Sequence, residues 1–187
     1  MPLTKNIFRK NCLEKLKSAQ KFNYLYKNKK INRALLKELS KKKHKKILFY
    51  YPLGFEANIV QTLMKMRQTS EIYLPFMEGE SFKMVPFRLP LKKKKFGIYE
   101  AGNSNRNINK IDIAIVPIVG VDGNFQRVGF GKGMYDRFFA SLRKRPYIIF
   151  IQSEICYTKE SVCDSYDIAG DLLLTPKTVK LNSVKIR

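Results

Sequence analysis

Three glycines alternate with other residues immediately before a predicted helix: Gly129, Gly131 and Gly133. Glycine allows backbone conformations in which several N–H groups converge on one anion, and a helix N-terminus adds free donors and a favourable dipole. Lys132 would add a mobile positive charge, and Arg127 a guanidinium able to grip two phosphate oxygens. The segment therefore predicts a phosphate-binding loop. It matches neither the dinucleotide fingerprint nor the Walker A loop, so its chemistry does not identify the phosphate compound.

Asp136 lies in the first turn of the predicted helix that follows the glycines. A carboxylate at that point repels a phosphate unless a cation lies between them, which makes Asp136 a candidate Mg²⁺ ligand. The alternative is that Asp136 only stabilises the helix dipole. Spacing alone slightly favours the second interpretation, because glycine-rich turns before helices are common.

Alternating strands and helices must position this loop. Apolar residues at helical spacing predict one long amphipathic helix over residues 5–27. Further helices are predicted at 32–41, 56–67 and 134–143. Strands are predicted at 47–51, 71–76, 81–88, 95–99, 112–121, 147–155 and 172–175, and residues 100–109 are predicted to form a loop.

This alternation predicts an α/β fold, a three-layer α/β/α sandwich with an open, Rossmann-like and mostly parallel mixed sheet. The strand predicted at 112–121 is almost continuously apolar, as in a parallel strand covered on both faces. In such folds ligands bind beyond the carboxyl ends of the strands, where the glycine loop falls. A chain of 187 residues fits one domain.

The composition excludes some classes of protein and leaves one open. No run approaches the ~18 apolar residues of a membrane span, so we expect no membrane partner. Three cysteines are too few for a disulfide scaffold, which fits a reducing cytoplasm. Neither a zinc site nor a Ser/His/Asp triad can be assembled, since the one histidine, His44, stands in a lysine run.

The formal charge of +22 is typical of a nucleic-acid-binding protein. The lysines are nevertheless spread along the whole chain, as in proteins from AT-rich genomes. The densest lysine runs, at 41–46 and 92–95, contain none of the arginines or aromatic residues that read or stack on bases. We therefore attribute the charge to composition and expect no nucleic-acid partner.

The segment from Ile111 to Pro117, the Asp122-Gly123-Asn124 turn and the glycine loop through Arg137 together resemble the signature of the 5-formyltetrahydrofolate cyclo-ligase family. The resemblance covers most of the chain. That family opens on a helix with a lysine and an arginine four residues later, which Lys5 and Arg9 match. On their own, these two residues would be read as a solvated basic face.

The resemblance implies an ATP site and a folate site. The ATP-binding residues it implies are Lys5, Arg9, Arg127, Val128, Gly129, Phe130, Gly131, Lys132, Gly133, Met134 and Tyr135. The folate-binding residues it implies are Tyr51, Glu56, Glu100, Phe130, Gly131, Lys132, Gly133 and Met134. Without the resemblance, Glu56 would be an ordinary acid in the first turn of a helix.

The resemblance also implies a Mg²⁺ site formed by Asp136 and Asp167. The chain departs from the family pattern at Ala101, Met134, Tyr166 and Pro176, where proline, tyrosine, histidine and glutamate are usual. Glu100 directly precedes one of these departures, Ala101.

The activity implied is the ATP-dependent conversion of 5-formyltetrahydrofolate to 5,10-methenyltetrahydrofolate, with ADP and phosphate as the other products, by a cytoplasmic and monomeric enzyme. Two alternatives stay open at this point. A different phosphate-binding α/β enzyme, such as a sugar-phosphate isomerase, would use the same loop but leave Lys5 and Arg9 without a role. A basic nucleic-acid-binding module would stay bound to a polyanion column at moderate salt.

Overall fold

A computed structural model of the chain describes residues 2–41, 46–94, 97–106 and 108–183. Its main sheet has seven strands in the order β11-β10-β9-β6-β1-β2-β3. In chain order these strands are β1 Lys46–Leu48, β2 Glu71–Glu78, β3 Ser81–Pro86, β6 Ile113–Pro117, β9 Tyr147–Ile151, β10 Leu172–Leu174 and β11 Val179–Leu181. Two short hairpins complete the strands: β4 Lys92–Lys93 with β5 Tyr99–Glu100, and β7 Gly120–Val121 with β8 Arg127–Val128.

The five inner strands of the sheet, from β10 to β2, run parallel, and the edge strands β11 and β3 run antiparallel to their neighbours. The four helices are α1 Lys5–Gln20, α2 Tyr24–Ser40, α3 Val60–Met66 and α4 Met134–Ser141. The predicted α/β class with a mostly parallel mixed sheet is confirmed.

Both faces of the sheet are buried because successive side chains of a strand point to opposite sides. In β6, Ile113 and Ile115 belong to the apolar cluster that contains Leu35 of α2 and Leu63 of α3. Residues 114 and 116 of the same strand belong to a second cluster, together with Phe138 of α4. The continuous apolar sequence of β6 therefore serves two cores, with helices on both faces of the sheet.

Helix α1 packs outside these layers, against the β7–β8 hairpin. Its apolar face forms a third cluster with that hairpin and with the segment after β9: Phe8, Cys12, Leu16, Val119, Val128 and Cys156. A disulfide joins Cys12 to Cys156 within this cluster. Three cysteines were expected to form no disulfide scaffold, and the structure has this one buried cross-link.

Several predicted elements need correction. Of the strand predicted over 95–99, only Tyr99 lies in a strand, β5, and residues 95–96 lie outside the described residues. The helix predicted over 5–27 ends at Gln20, because Asn23 adopts a left-handed conformation with φ 54°, and the chain restarts as α2. The strand predicted over 112–121 ends at Pro117, because Val119 changes partner and donates its N–H to the Val128 carbonyl. The helix predicted from residue 56 begins only at Val60.

Two further sequence-based expectations concern the end of the sheet and the lysine runs. A strand, β11, follows β10 where no strand was predicted. His44, and Lys95 of the second lysine run, lie outside the described residues. Within the described part of the chain, no helix has both the length and the hydrophobicity that crossing a membrane requires.

The carboxylate of Asp122 is fully buried at the end of β7, and it organises the backbone around the β7–β8 hairpin. Its Oδ1 accepts the backbone N–H groups of Asn124 and Gln126, at 3.0 and 2.9 Å. Its Oδ2 accepts those of Val162 and Cys163, at 3.2 and 3.1 Å. One side chain therefore fixes the hairpin turn to a loop 40 residues later in the chain.

Replacing Asp122 by alanine should leave these four N–H groups without their acceptor. We expect the Asp122→Ala variant to lose about 3–5 kcal/mol of unfolding free energy, as when one partner of a buried charged network is removed. Urea denaturation followed by circular dichroism measures this loss. Glu160→Ala, which removes an exposed carboxylate from the neighbouring loop, is the matched control and should change stability by less than about 0.5 kcal/mol. Equal stabilities for the two variants would contradict this role of Asp122.

Candidate active site

The site lies beyond the carboxyl ends of the central parallel strands. From β1 the chain continues to β2 on one side, whereas the other neighbour of β1 is β6, from which the sheet extends to β9 and β10. The boundary between β1 and β6 is thus a switch point, where the connections leave in opposite directions and open a crevice. The segments that follow β1, β6 and β9 all reach this crevice and form two adjoining pockets.

The outer pocket is lined mainly by charged residues and glycines from α1, the glycine loop, α4 and the loop before β10. Its lining residues are Lys5, Arg9, Arg127, Gly129, Gly131, Lys132, Gly133, Asp136, Arg137, Ala140, Tyr166 and Asp167. Nine of these twelve are residues predicted to bind ATP or Mg²⁺; the other three are Arg137, Ala140 and Tyr166. A cleft with several cations, free backbone donors and two carboxylates suits a phosphate ligand that carries a divalent metal ion.

The N-terminus of α1 delivers Lys5 and Arg9 to the outer pocket. Thr4 caps this helix, with its Oγ1 accepting the N–H of Ile7 at 3.3 Å. Residues four apart lie on one helix face, so Lys5 and Arg9 point the same way. The Nε of Arg9 donates to the carbonyl of Gly129 at 2.8 Å, which joins the helix to the glycine loop.

Lys5 is held between two carboxylates of the loop before β10. Its Nζ donates to Asp164 at 2.9 Å and also to Asp167, the second predicted metal ligand. The ring of Tyr166 lies 5.4 Å from the same Nζ, and its hydroxyl donates to Asp164. Burial lowers the pKa of Lys5, but the bonds to Asp167 and Asp164 outweigh it and raise that pKa above its usual value. Lys5 therefore stays charged at neutral pH.

The second pair of opposite charges joins Arg127 of β8 to Asp136 of α4. Nη1 of Arg127 donates to Oδ2 of Asp136 at 2.9 Å, and the guanidinium lies 5.1 Å from the ring centre of Tyr135. Oδ1 of Asp136 accepts the N–H of Ile168 at 3.3 Å. Arg127 is only 5% exposed, so its positive charge lies beneath the glycine loop and is little screened by solvent.

Each glycine of the loop is required for its own structural reason. A side chain at Gly129 would collide with the Arg127 guanidinium. Gly131 and Gly133 adopt φ values of 95° and 59°, a region that residues with side chains rarely occupy. Gly133 is also the residue immediately before α4, so the loop ends at a helix N-terminus as predicted.

The inner pocket lies between the ends of β1, β6 and β9 and is mostly apolar. It is lined by Leu16, Phe55, Glu56, Ala57, Pro117, Ile118, Phe130, Ile151, Gln152 and Ser153. The rings of Phe55 and Phe130 meet with centroids 5.0 Å apart. Because Phe130 belongs to the glycine loop, the loop contributes to both pockets.

Glu56 is the only acidic residue that lines the inner pocket among the described residues. Its Oε2 accepts the N–H of Leu53 at 2.9 Å, and this bond closes the turn after β1. Burial raises the pKa of Glu56 to about 7, although the Leu53 N–H and the positive charge of Arg127 act in the opposite direction. Glu56 can therefore be protonated or charged near neutral pH.

Tyr51 and Glu100, also predicted to bind folate, are not among the residues that line these two pockets. Tyr51 stacks at an angle on Tyr99 of β5, with ring centroids 5.4 Å apart. Glu100 is 4% exposed, and its Oε1 accepts the N–H of Met77 at 3.2 Å, which fastens the β4–β5 hairpin to β2. The structure thus gives Glu100 a structural contact and does not place it with Glu56.

Three of the predicted ATP residues point away from the outer pocket. The side chain of Val128 is buried in the third cluster, and those of Met134 and Tyr135 pack against the second. Burial raises the pKa of the Tyr135 hydroxyl, and Glu56 raises it further. Val128, Met134 and Tyr135 can therefore contact a nucleotide only through backbone atoms or support the glycine loop from below.

Asp136 and Asp167 fit a magnesium ion in chemistry and in placement. Both line the outer pocket, and Mg²⁺ is commonly held by one or two carboxylates together with phosphate oxygens and water. No group of three or more potential ligands occurs among the described residues, so a metal here would depend on the phosphate for further oxygens. Both carboxylates now bind protein donors, which the metal would have to replace in part.

Arg137, Asp164 and Tyr166 were not assigned a role from the sequence. Arg137 lines the outer pocket, and its guanidinium donates to the carbonyls of Glu80 and Lys132. Its place beside Asp136 in the motif was the available signal. Asp164 carried no signal, because its contact with Lys5 spans 159 residues of sequence.

A family model for the 5-formyltetrahydrofolate cyclo-ligase family matches residues 3–158 of the chain. A 5-formyltetrahydrofolate cyclo-ligase of Mycoplasma pneumoniae is 26% identical over 177 residues, 92% of this chain and 98% of that protein. One of Haemophilus influenzae is 26% identical over 121 residues, 59% of this chain and 64% of that protein.

Two solved structures share the fold. The 5,10-methenyltetrahydrofolate synthetase of Aquifex aeolicus superposes with a TM-score of 0.80 at 25% identity, covering 97% of this chain and 94% of that one. A 5,10-methenyltetrahydrofolate synthetase of Mycoplasma pneumoniae gives 0.72 at 22% identity, covering 94% and 100%. The second likeness concerns the fold alone.

The raised pKa of Glu56 should make stability depend on pH. Between its ordinary value of 4.5 and about 7, folded Glu56 holds a proton that the unfolded chain has lost. The stabilising contribution is complete below that range and is lost as pH rises through 7. Relative to Glu56→Gln, the unmodified protein should lose up to about 3 kcal/mol of unfolding free energy between acidic and mildly basic pH.

Urea denaturation of both proteins across this pH range tests the expectation. Glu154→Gln is the matched control: burial raises the pKa of Glu154, but Lys27 outweighs it and holds that pKa below its usual value. The contribution of Glu154 is thus lost only under acidic conditions, as pH falls below its ordinary value of 4.5. Parallel pH profiles for the unmodified protein and Glu56→Gln would refute the raised pKa.

Proposed function

Because the chain belongs to the 5-formyltetrahydrofolate cyclo-ligase family, we propose that it converts 5-formyltetrahydrofolate to 5,10-methenyltetrahydrofolate in an ATP-dependent reaction that releases ADP and phosphate. One observation carries the proposal. The glycine loop lies between a cationic outer pocket with Lys5 and Arg9 and an apolar inner pocket with Glu56. A phosphate donor and an apolar ring substrate could therefore meet across a single loop.

The proposed reaction has two chemical steps. The oxygen of the N5-formyl group attacks the γ-phosphorus of ATP. The bond between this phosphorus and the ADP oxygen breaks, and an iminium phosphate forms. N10 of the folate then attacks the formyl carbon and loses its proton, and the carbon–oxygen bond breaks to release phosphate. Phosphorylation is needed because the formyl oxygen is otherwise a poor leaving group.

The protein's task in these steps is positioning and charge neutralisation. Lys5, Arg9 and Lys132 would contact the phosphates together with the backbone N–H groups of the loop. Arg127 would act from below, since it is buried and paired with Asp136. When bound at Asp136 and Asp167, Mg²⁺ would neutralise charge on the phosphate oxygens and help to orient them.

Nucleotide binding would require exchange of the ion pairs in the outer pocket. Lys5 now neutralises Asp167 and Asp164. If Lys5 turned to a phosphate oxygen, Asp167 would need another positive partner because it is only 7% exposed, and a metal ion held there would supply it. Asp164 is exposed to solvent and would keep the hydrogen bond from the Tyr166 hydroxyl.

Glu56 and Tyr51 are the residues we propose on the folate side, with Phe130 as the aromatic wall between the two substrates. Glu100 would act through the β4–β5 hairpin that it anchors. A single catalytic domain, a monomeric state and a cytoplasmic location stay predictions from the sequence.

Activity can be tested by mixing the protein with Mg-ATP and 5-formyltetrahydrofolate and recording absorbance near about 360 nm, where the methenyl product absorbs. An ATP-dependent rise is expected. Asp136→Ala should lower kcat/KM by roughly 100-fold or more, as when one electrostatic partner of the transferring group is removed.

Because Asp136 also binds Arg127 and Ile168, the Asp136→Asn variant should accompany the alanine variant. It keeps the size of the side chain but has only one acceptor oxygen, so it can accept from Arg127 or from Ile168 but not from both, and its fold is checked by circular dichroism. The folded variant should require more Mg²⁺ for half-maximal rate. Glu14→Ala, on the exposed face of α1, is the control and should behave like the unmodified protein. Unchanged Mg²⁺ dependence in a folded Asp136→Asn variant would rule out the metal assignment, and absence of any product would rule out the activity.

We also propose that the β4–β5 hairpin favours folates with a polyglutamate tail. Lys92, Lys93 and Lys94 are exposed on this hairpin. Tyr99, on the partner strand, touches Tyr51 in the segment after β1. The hairpin thus holds three positive charges beside the proposed folate residues, where an anionic tail would leave the site.

Changing the three lysines to glutamine should raise KM for a polyglutamated substrate by roughly three- to tenfold at low salt, as expected for exposed ion pairs, and leave KM for the monoglutamate nearly unchanged. The matched control is the triple change Lys29→Gln, Lys30→Gln and Lys37→Gln on exposed positions of α2, which removes the same charge. Equal weakening of both substrates, or an equal effect of the control, would contradict a specific role of the hairpin.

A further inference from the structure

Ser153 has a buried hydroxyl that the fold itself does not use. The residue follows β9 directly, at the carboxyl end of that strand, and is only 4% exposed. Its Oγ makes no hydrogen bond within the described part of the chain. Buried polar groups are almost always hydrogen-bonded, because an unpaired one costs folding free energy, so this exception requires an explanation.

The polar groups around Ser153 are satisfied. The side chain of Gln152 donates from Nε2 to the Val119 carbonyl at 2.8 Å and accepts the N–H of Cys156 at 3.2 Å. The hydroxyl of Tyr50 donates to the Ala57 carbonyl at 2.7 Å. Only one other buried side-chain atom among the described residues lacks a partner, and it is Nε of Arg127, beneath the outer pocket. Ser153 lines the inner pocket and Arg127 lines the outer pocket, so each unpaired group belongs to a residue of one pocket.

Ser153 lines the inner pocket together with Glu56. Gln152 is the third polar residue of the lining, and its side chain is already hydrogen-bonded within the fold. The other walls are aliphatic and aromatic, among them Leu16, Ile118 and the ring pair of Phe55 and Phe130. A cavity with apolar walls and few polar groups is the usual site for a flat heterocycle, whose faces need apolar contact and whose edge needs hydrogen bonds. A serine hydroxyl can donate to a ring carbonyl or accept from a ring N–H.

From this arrangement we propose that Ser153 is a substrate-positioning residue whose hydroxyl binds the polar edge of the reduced pteridine ring of the folate. The inference rests on the proposed function and adds a residue that the motifs did not indicate. Glu56 provides the second polar contact in the same pocket. Together they fix the rotation of the ring, and with it the direction in which the N5-formyl group faces the glycine loop.

The pocket must open before it can hold the ring. In this structure it has room for roughly one water molecule. Phe130 is its most exposed wall, at 36%, so we take it as the side chain that moves. Outward rotation of the Phe130 ring separates it from Phe55 and exposes Ser153 and Glu56 to the crevice.

The decisive variant is Ser153→Ala, studied in the full-length protein. We expect KM for 5-formyltetrahydrofolate to rise roughly three- to tenfold, as for one lost hydrogen bond, with KM for Mg-ATP unchanged. The thermal midpoint should stay the same or increase, because the variant removes an unpaired buried group. Ser153→Thr keeps a hydroxyl and should recover part of the affinity. Ser18→Ala, at an exposed position of α1, is the matched control and should change neither constant.

Other outcomes would overturn the proposal. An unchanged KM for folate in an active Ser153→Ala protein would mean that the hydroxyl serves a buried water only. A Ser153→Ala protein that unfolds, or that loses affinity for both substrates alike, would show a structural role. If the unmodified protein forms no product, calorimetric titration with 5-formyltetrahydrofolate separates the two ideas. Binding weakened by Ser153→Ala would then support the residue's role although the proposed activity had failed, and equal binding by both proteins would refute it.

Discussion

The buried carboxylate of Asp122 is the constraint on which the site depends. Its four backbone hydrogen bonds hold the β7–β8 hairpin against the loop that carries Asp164 and Asp167. Gln126 reinforces the same junction by donating to the carbonyls of Asp164 and Asp167. A buried charge destabilises the fold unless it is hydrogen-bonded. Any other arrangement of the hairpin and the loop would break the hydrogen bonds of Asp122, so one arrangement is favoured. Arg127 and Asp167, at the two ends of this junction, are fixed as a consequence.

From this junction the charges of the outer pocket are arranged in two compensated pairs. Arg127 neutralises Asp136, and Lys5 neutralises Asp167, so neither carboxylate is left unpaired in a poorly solvated place. Arg9, Lys132 and Arg137 also line this pocket, which gives it five cationic side chains against two carboxylates. An incoming polyphosphate therefore meets an excess of positive charge.

Much of the fold could be predicted from the sequence because the two-sided burial of β6 and β9 leaves continuous apolar runs. The glycine loop and the N-terminus of α4 followed equally from local chemistry. The break between α1 and α2 could not be predicted, since Phe22 and Tyr26 continue the apolar period and only the left-handed Asn23 interrupts it. The change of partner at Val119 was hidden for a similar reason, because both halves of that segment are buried.

Residues in the site differ in how far sequence could reveal them. Lys5 and Arg9 were found through their resemblance to a family pattern, and the glycine loop and Asp136 through local chemistry. Asp164 and Ser153 have no motif: one acts through an ion pair across 159 residues, and the other is notable only because it lacks a partner. Such properties depend on which distant segments meet, and they become visible only when the chain is folded.

Phe130 shows why one loop serves both pockets. Its backbone belongs to the glycine loop, and its ring closes the inner pocket against Phe55. In the proposed reaction, a phosphate held by this backbone would restrict the positions open to the ring, because Phe130 lies between Gly129, which packs on Arg127, and Gly131, with φ 95°. Phosphoryl transfer requires the acceptor oxygen to lie in line with the phosphorus and the leaving group. In the proposed reaction, the same loop would contact the phosphate through its backbone and the folate through the ring of Phe130. One movement of this backbone would therefore shift both contacts together, which helps to keep the reacting atoms in line.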